Sequence, residues 1–412
     1  MLDAATYHSD LRGGVLPWSR VGRLARQPLA GDRRCDVVIV GAGITGALAA
    51  YHLTSAGHKV CVIDRERPGQ GSTAASTAML LWEIDLPLSQ LSALYGFDRA
   101  ADIYRLSFRA AGALGGAIAT LALPCDFTPR ESLYIAGDDA DVPSLREEAA
   151  CRMRAGLPST FIDYPALKRE FGFERRCALL SPNSAEVDPV KLSQGLLARA
   201  IAAGAVLYDA EARDYDFERN RAFVSTPDGL IEARHAVLAT GYVMPPFLKP
   251  QLHRVSSSWA LSTPPRPEGT LWSRRCLLWE SARPYLYART TADNRILIGG
   301  EDEAEEMEPQ VRDRLTLQKT NRILDKMRRL WPGAALQAEF RWSGAFGVTG
   351  DGLPLIGRVP GWPNFYAAYG YGGNGITFSF LAAWLISRMI GDGPAAPACD
   401  YFAIDRPYAA PS

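Results

Sequence analysis

The sequence has few of the side chains that bind metals. Its five histidines are not paired at the spacing of metal ligands, and its seven cysteines show neither a CxxC pair nor a zinc-type spacing. These gaps predict no metal site and no histidine-based catalytic triad. Because the cysteine count is odd and Cys61 lies in an apolar run, we expect free thiols in a reducing compartment rather than a disulfide framework.

Net charge and long apolar runs are also missing. The 45 Lys and Arg residues balance 45 Asp and Glu residues, which argues against a nucleic acid or an acidic membrane surface as partner. The longest apolar stretches, at 111–123 and 376–390, are shorter than the roughly 20 residues that cross a bilayer. The start of the chain has acids, Pro and Trp in place of a signal-peptide core. We therefore expect a cytoplasmic, soluble protein, and 412 residues suffice for two domains.

What the chain does contain is a glycine turn between a buried strand and a helix. The stretch "VIVGAGITGALAAYHL" places Gly41 for a tight turn, Gly43 for close approach of a pyrophosphate, and Gly46 for close packing of the helix on the strand. A second strand then ends at Asp64, whose carboxylate can accept hydrogen bonds from a ribose. This βαβ unit predicts a dinucleotide site, but it does not separate NAD from FAD.

A second glycine turn occurs about 330 residues later. The stretch "YGYGGNGIT" at 369–377 runs directly into an apolar helix, and its glycines let the main chain approach a flat ring. Asn374 is expected to cap that helix. Negative charge develops at N1 and the C2 carbonyl of a flavin when it takes a hydride, and a helix N-terminus stabilises such charge. The second turn therefore favours FAD over NAD.

Several stretches, taken together and in this order, resemble the D-amino-acid-oxidase superfamily of FAD-dependent oxidoreductases, to which glycine, sarcosine and γ-glutamylputrescine oxidases belong. They are "DVVIVGAGITGALAAYHL", "GSTAASTAML", "VLATGY", "YARTTADNRILIGG", "WSGAFGVTGDGLPLIGRVP" and "NFYAAYGYGGNGITFSF". The resemblance implies a mixed α/β (α+β) fold, with a Rossmann-like FAD-binding domain and a second substrate domain built on an antiparallel sheet. The segments expected from it are an N-terminal arm at 1–34, the FAD-binding domain at 35–85, 180–245 and 345–395, the substrate domain at 86–179 and 246–344, and a C-terminal tail at 396–412.

The resemblance also implies which residues bind FAD. The cofactor is expected to be noncovalent, since "RPYLYART" has no cysteine where some relatives attach the flavin. "DGLPLIG" at 351–357 is expected to lead the chain under the ring. The implied cofactor-binding residues are Gly41, Gly43, Ile44, Thr45, Gly46, Asp64, Arg65, Gly71, Ser72, Thr73, Ala74, Ser76, Thr77, Ala212, Thr240, Gly241, Gly344, Gly372, Gly373, Asn374, Gly375, Ile376 and Thr377.

For the substrate, the resemblance implies that Arg289 clamps a carboxylate and that Tyr287 is its neighbour. Tyr371, with Trp259 and Trp342, is expected to wall the pocket. Gly373 and Thr377 stand where some relatives carry a basic residue, so a second carboxylate anchor is missing. That departure favours an amine or a larger N-substituted amino acid over a small amino acid.

The implied reaction is oxidation of a carbon–nitrogen bond by hydride transfer to flavin N5, followed by hydrolysis of the imine. The partners would be a small amine or amino acid and O₂, which would yield peroxide. Two alternatives stay open. A dehydrogenase of the same fold would pass electrons to a quinone or a partner protein, and a catalytically silent protein would bind FAD without turnover.

Overall fold

The computed structural model describes residues 11–18, 24–137, 142–248, 252–282, 284–391 and 398–407. Most of the chain before residue 24 and after residue 391 lies outside these ranges. The predicted N-terminal arm and C-terminal tail therefore fall partly outside the described residues. No helix within the described ranges is long and apolar enough to cross a membrane.

The strands belong to two sheets and are, in chain order, β1 (Arg12–Gly14), β2 (Gln27–Pro28), β3 (Arg33–Val40), β4 (Val60–Asp64), β5 (Met79–Leu80), β6 (Thr128–Ile135), β7 (Thr160–Asp163), β8 (Cys177–Glu186), β9 (Val206–Asp209), β10 (Asp214–Glu218), β11 (Arg221–Thr226), β12 (Gly229–Leu238), β13 (Arg254–Ser262), β14 (Leu277–Glu280), β15 (Leu286–Thr290), β16 (Ile296–Glu303), β17 (Phe340–Val348), β18 (Leu355–Val359) and β19 (Trp362–Tyr369).

The α-helices are α1 (Ile44–Ser55), α2 (Ser72–Ala75), α3 (Leu88–Tyr95), α4 (Phe97–Thr120), α5 (Val142–Arg154), α6 (Tyr164–Phe171), α7 (Pro189–Ala202), α8 (Pro309–Arg314), α9 (Thr316–Leu330), α10 (Gly375–Ile390) and α11 (Ala398–Tyr401). Local sequence explains several of their ends. Asp188 caps α7 by accepting hydrogen bonds from the Val190 and Lys191 amides, and Pro189 occupies the first turn.

The first sheet has a parallel centre, in which β12 and β4 flank β3, while β9 continues beyond β4 and β19 pairs with the end of β12. The β10–β11 hairpin extends it in antiparallel fashion. Val37 to Val40 are all buried, because helices cover one face of β3 and the hairpin side covers the other. A continuous apolar run is what a parallel strand buried on both faces requires.

The second sheet has the order β1-β17-β13-β16-β15-β14-β6-β8-β5, and β7 pairs with β8. Its pairs are antiparallel, as predicted for a substrate domain, except that β14 runs parallel to β6. Helix α9 buries Ile323, Leu324 and Met327 against one face of this sheet, where they meet Trp259. The mixed two-sheet architecture agrees with the predicted fold class.

Three elements pack with a different part of the fold from the one to which the predicted segments assign them. Helix α4, expected in the substrate domain, packs in the same core as α1, α7 and α10 beside the first sheet. Strand β8 belongs to the second sheet although 180–186 was assigned to the FAD-binding domain, and β1 of the arm pairs with β17. Periodicity in a sequence indicates the type of an element, whereas its partner depends on contacts distant in sequence.

A buried ion pair fastens the C-terminal segment to the loop before β18. Arg406 contacts both carboxylate oxygens of Asp351 at 2.8 Å and donates to the carbonyls of Leu353 and Pro354 at 2.6 and 2.8 Å. Tyr95 donates to the same carboxylate at 2.6 Å. The C-terminal segment thus holds the loop at 351–357 that was expected to pass under a flavin.

Replacing Arg406 with Met should destabilise the fold, because Asp351 would stay buried without its cation. The expected loss is about 3–5 kcal/mol in the free energy of unfolding, measured with urea. Arg358→Met removes an exposed arginine from β18 and serves as the matched control, with an expected change within about 0.5 kcal/mol. Equal stability of the two variants would contradict this role of the pair.

Candidate functional site

A cleft of about 320 Å³ opens at the carboxyl ends of β3 and β4 and extends to the second sheet. Open α/β sheets bind ligands at this edge. The residues that follow β12 and the first turns of α1 and α10 also line the cleft, and so do residues of β13, β15 and β17. The two glycine turns therefore face one cavity.

The first glycine turn has the geometry that its spacing predicts. Gly41 has φ +108°, and a Cβ there would lie 2.2 Å from the carbonyl oxygen of Ala239. A Cβ on Gly46 would lie 1.8 Å from the Gly41 oxygen, so this glycine permits α1 to pack on the turn. Gly43 faces the cleft and begins α1 without a side-chain cap. An uncapped helix start of this kind suits a phosphate.

Asp64 is held rigidly at the end of β4. One carboxylate oxygen accepts a hydrogen bond from the Ala42 amide at 2.6 Å, and the other accepts from the Glu66 amide at 2.7 Å. Burial raises the pKa of Asp64 to about 6, against the opposing effect of these two hydrogen bonds. Ala212 lies at the same end of the cleft. The Asp64 carboxylate thus lies where the sequence predicts the acceptor for a ribose, in the lining of the cleft at the end of β4.

The segment around α2 connects the two ends of the cleft. Ser72, Thr73, Ser76 and Thr77 all line it, and the Thr73 hydroxyl accepts a hydrogen bond from the Ile44 amide at 2.9 Å. Three side chains donate hydrogen bonds to its carbonyl groups. Trp18 donates to the Ala74 oxygen at 2.7 Å, Trp342 donates to the Ala75 oxygen at 2.8 Å, and Arg289 donates to the Thr77 oxygen.

The second glycine turn is attached to residues 81–85. Gly372 has φ +58°, and a Cβ there would lie 2.3 Å from a carboxylate oxygen of Asp85. The Gly373 amide donates to Asp85 at 2.7 Å, and the Thr377 hydroxyl donates to the Leu81 carbonyl at 2.8 Å. The Asn374 side chain donates to the Glu83 carbonyl and makes no capping bond to α10. The expected cap was therefore wrong, and the amide binds the neighbouring segment instead.

Tyr371 connects the starts of α1 and α10. Its hydroxyl lies 3.1 Å from the Thr45 hydroxyl, which lies 2.7 Å from that of Ser379. Burial raises the pKa of the Tyr371 phenol well above its ordinary value, so the group stays neutral. Trp259 and Trp342, which were expected to wall the pocket with Tyr371, line the cleft as well, and so does Tyr287.

Arg289 does not line the cleft. Its side chain is only 2% exposed, and its three nitrogens donate to the carbonyls of Thr77, Thr290 and Val187. Glu186 lies 3.9 Å away, and burial lowers the pKa of Arg289 to about 10. This geometry does not support a carboxylate clamp. The guanidinium instead holds the main chain that leads out of α2.

Most of the predicted cofactor residues line the cleft, and three do not. Gly46 serves helix packing, Ala74 is buried behind the wall, and Thr377 bonds to the main chain. The Asp351–Arg406 pair also lies outside the lining. The sequence interpretation missed Asp85, Tyr242, Trp279, Tyr285 and Phe346, which line the cleft at its end toward the second sheet. Tyr242 follows the "ATG" turn, which was an available signal, whereas Asp85 stands in "LWEID", which has no motif.

The family described as FAD dependent oxidoreductase matches residues 36–389. The chain belongs to this family. Gamma-glutamylputrescine oxidoreductase of Escherichia coli (strain K12) is 26% identical over 364 residues, which are 86% of this chain and 83% of that protein. A D-amino acid dehydrogenase of Paramagnetospirillum magneticum (strain ATCC 700264 / AMB-1) is 25% identical over 427 residues, covering 90% and 98%. Glycine oxidase from Geobacillus kaustophilus has the same fold, with a TM-score of 0.78 at 20% identity, over 90% of this chain and 99% of that structure.

Membership confirms the predicted family and fold and identifies the protein as an FAD-dependent oxidoreductase. The residues present fit FAD. The Gly41 turn and Asp64 suit the ADP half, and the turn at 370–375 lets the main chain approach a flat ring at the other end of the cleft. No cysteine or histidine occurs among the described residues that line the cleft, so none of them offers a thiol or imidazole for flavin attachment.

Gly43→Ala should lower FAD affinity at least tenfold, because its Cβ faces the pyrophosphate path. That Cβ would also lie 3.1 Å from the Thr73 hydroxyl, a tight contact that requires a small shift of the threonine side chain. FAD titration of the apoprotein measures this. Gly46→Ala is the comparison variant that acts on folding. Its Cβ would lie 1.8 Å from the Gly41 oxygen, so overpacking should lower the free energy of unfolding by about 1–3 kcal/mol. Unchanged FAD affinity in Gly43→Ala would place the pyrophosphate elsewhere.

FAD affinity should fall as the pH drops below about 6. A carboxylate accepts a ribose hydroxyl best when ionised, and Asp64, with a pKa of about 6, is ionised above that pH and protonated below it. Well below the pKa, the dissociation constant should rise by up to about tenfold per pH unit. In Asp64→Asn the amide does not titrate, so affinity should be lower and this dependence should be lost. The same slope in both proteins would exclude Asp64 as its source.

Proposed function

We propose that the protein oxidises a carbon–nitrogen bond of an amine or N-substituted amino acid. The observation that carries the proposal is that two uncapped, glycine-lined helix starts face one cleft whose other end is walled by aromatic rings. When bound, FAD accepts a hydride from the carbon next to nitrogen and passes the electrons on. The chain itself supplies binding, orientation and exclusion of water.

The residues at the aromatic end suit a neutral amine. Burial raises the pKa of Tyr242 to about 12 and that of Tyr371 well above its ordinary value, so both phenols remain uncharged. A poorly hydrated wall also favours the neutral form of a bound amine, which is the form that releases a hydride. No residue at this end therefore has to act as a strong base.

An amine is favoured over a simple amino acid because the cleft offers no carboxylate anchor at this end. Arg289 is committed to main-chain carbonyls, and among the described lining residues the one arginine or lysine is Arg65, which follows β4 at the ADP end. The similarity to gamma-glutamylputrescine oxidoreductase supports the same substrate class. Amino acids remain the second class, as the name of the D-amino acid dehydrogenase relatives indicates.

We propose O₂ as the electron acceptor, with hydrogen peroxide as product, on the strength of the resemblance to glycine, sarcosine and γ-glutamylputrescine oxidases. The second candidate is a dehydrogenase that reduces a quinone or a protein. One observation favours the dehydrogenase: no lysine lies among the described residues that line the cleft, and positive charge near a reduced flavin stabilises the anion formed when O₂ is reduced.

The test of substrate class is anaerobic bleaching of the flavin absorbance by a panel of amines, amino acids and N-methyl amino acids. Amines should bleach it, and the small amino acids should do so more slowly or only at higher concentration. A panel in which small amino acids are the best substrates would contradict the amine assignment. If nothing in the panel bleached the flavin, the silent FAD-binding protein would be the better interpretation.

The electron acceptor is tested separately by mixing the reduced protein with air-saturated buffer in a stopped-flow instrument. Reoxidation within seconds and stoichiometric peroxide are expected of an oxidase. Reoxidation over minutes, accelerated by a soluble quinone, would identify a dehydrogenase.

A further inference from the structure

The described part of the N-terminal arm, residues 11–18, reaches the cleft. Its strand β1 pairs with β17 at the edge of the second sheet, and Leu11, which precedes β1, lines the cleft. None of these residues was predicted to bind the cofactor. We propose that residues 11–18, which we call the strap, belong to the FAD site: Leu11 covers the middle of the bound cofactor, and detachment of the strap sets the rates at which FAD enters and leaves.

The position of Leu11 carries the first step. Its Cδ1 atom lies 3.2 Å from where a Cβ on Gly71 would stand, and 3.8 Å from where a Cβ on Gly241 would stand. Gly71 precedes α2 and Gly241 follows β12, so Leu11 reaches from the edge of the second sheet to a turn of the first. Because the segment around α2 connects the two ends of the cleft, Leu11 stands over its middle.

The strap is also bonded to the segment around α2 near both of its ends. Arg12 is only 5% exposed, and its Nε donates to the Gln70 carbonyl at 2.6 Å. Trp18 donates from its indole N–H to the Ala74 carbonyl at 2.7 Å. Between these two carbonyls lie residues 71–73, all predicted to bind FAD and all in the lining of the cleft. The strap therefore positions a wall of the FAD site in addition to covering it.

Trp18 anchors the strap away from the surface that FAD would touch. Its ring packs with Leu16 beside Ala75 and Trp342, and the Arg289 guanidinium lies 5.6 Å from the centre of the ring. A cation over a ring face is attracted to it. Trp18 is not among the described residues that line the cleft. A change at Trp18 thus alters the attachment of the strap without removing a lining side chain.

The pairing of the strap is short enough to open while the rest of the fold stays intact. Strand β1 has three residues and is the terminal strand of its sheet. A main-chain hydrogen bond lies on either side of it: the Ala345 amide donates to the Leu11 carbonyl at 3.0 Å, and the Val15 amide donates to the Arg341 carbonyl at 2.9 Å. Elements with few paired groups open locally at a lower free energy than the whole protein. Such an opening withdraws Leu11 from the cleft.

The first test measures FAD release from the diluted holoprotein and FAD uptake by the apoprotein, both by flavin fluorescence. Trp18→Phe keeps a ring but removes the N–H donor, so release and uptake should both become about fivefold faster, as the loss of one hydrogen bond predicts. Unchanged rates would overturn the proposal. Faster release with unchanged uptake would show a weakened wall and overturn the role of the strap as a gate.

Trp272→Phe is the matched control. It also removes an indole N–H that donates to a carbonyl, that of Cys276 at 2.9 Å, but at a site that does not line the cleft. Its release and uptake rates should equal those of the unaltered protein. Equal acceleration in both tryptophan variants would overturn the proposal, because the effect would then not depend on the strap.

A reversible cross-link tests the opposite change and does not depend on Trp18. Val15 and Arg341 are a hydrogen-bonded pair of antiparallel strands, whose Cα separation of about 5.5 Å suits a disulfide. In the holoprotein with both Val15→Cys and Arg341→Cys, oxidation should slow FAD release by about tenfold or more, since local opening must precede release. Val15→Cys alone, oxidised in the same way, should show no change. Equal release from the oxidised and reduced double variant, with the disulfide verified by mass spectrometry, would overturn the proposal.

The contact made by Leu11 is tested by FAD affinity. Leu11→Ala should raise the dissociation constant by about tenfold, because apolar surface that covers the cofactor is lost. Leu11→Met keeps the size and the apolar character of the side chain and should retain the affinity. Equal affinity in the two variants would overturn the role of Leu11.

These measurements follow bound FAD without turnover, so their outcome is independent of the substrate and electron acceptor proposed above. A protein that oxidises no amine can still show the strap. Conversely, bleaching of the flavin by amines, with FAD release unaffected by the cross-link, would support the proposed function and reject the strap.

Discussion

The contact between the starts of α1 and α10 is the constraint on which the site depends. Thr45 of α1 lies between the hydroxyls of Tyr371 and Ser379, and this buried set holds two helix N-termini against one cavity. Both turns line the same cleft, so an extended dinucleotide could contact both of them at once. Both require glycine, since a Cβ on Gly41 or Gly372 would collide with the main chain or with Asp85.

Buried arginines provide a second level of support. Arg152, Arg289 and Arg406 are nearly inaccessible, and each holds a loop that ends at the cleft or beside it. Arg289 fixes the main chain after α2, Arg406 fixes the loop before β18, and Arg152 pairs with Glu148 and lies 3.7 Å from Glu83. A guanidinium presents several donors in fixed geometry, which suits it to neighbouring carbonyls and carboxylates.

The sequence predicts the backbone of the site better than its side chains. Glycine turns are visible in a sequence because φ above zero and close approach demand one residue type, and both turns singled out in this way line the cleft. Arg289 shows the limit. It shares a strand face with Tyr287, yet its longer side chain reaches the carbonyls of Thr77 and Val187, which follow α2 and β8, while the tyrosine lines the cleft. Strand alternation predicts a face and not where a flexible side chain ends.

The placement of α4 and β8 failed for a related reason, since their partners are distant in sequence. Distant contacts also explain why Asp85 was missed. Residues 81–85 have no motif of their own, and their role depends on the hydrogen bonds that the turn at 370–377 makes with them. These bonds place the Asp85 carboxylate in the lining of the cleft, beside the second glycine turn. The position of Asp85 in the site thus follows from the fold, since it depends on contacts between segments almost 300 residues apart and not on a local motif.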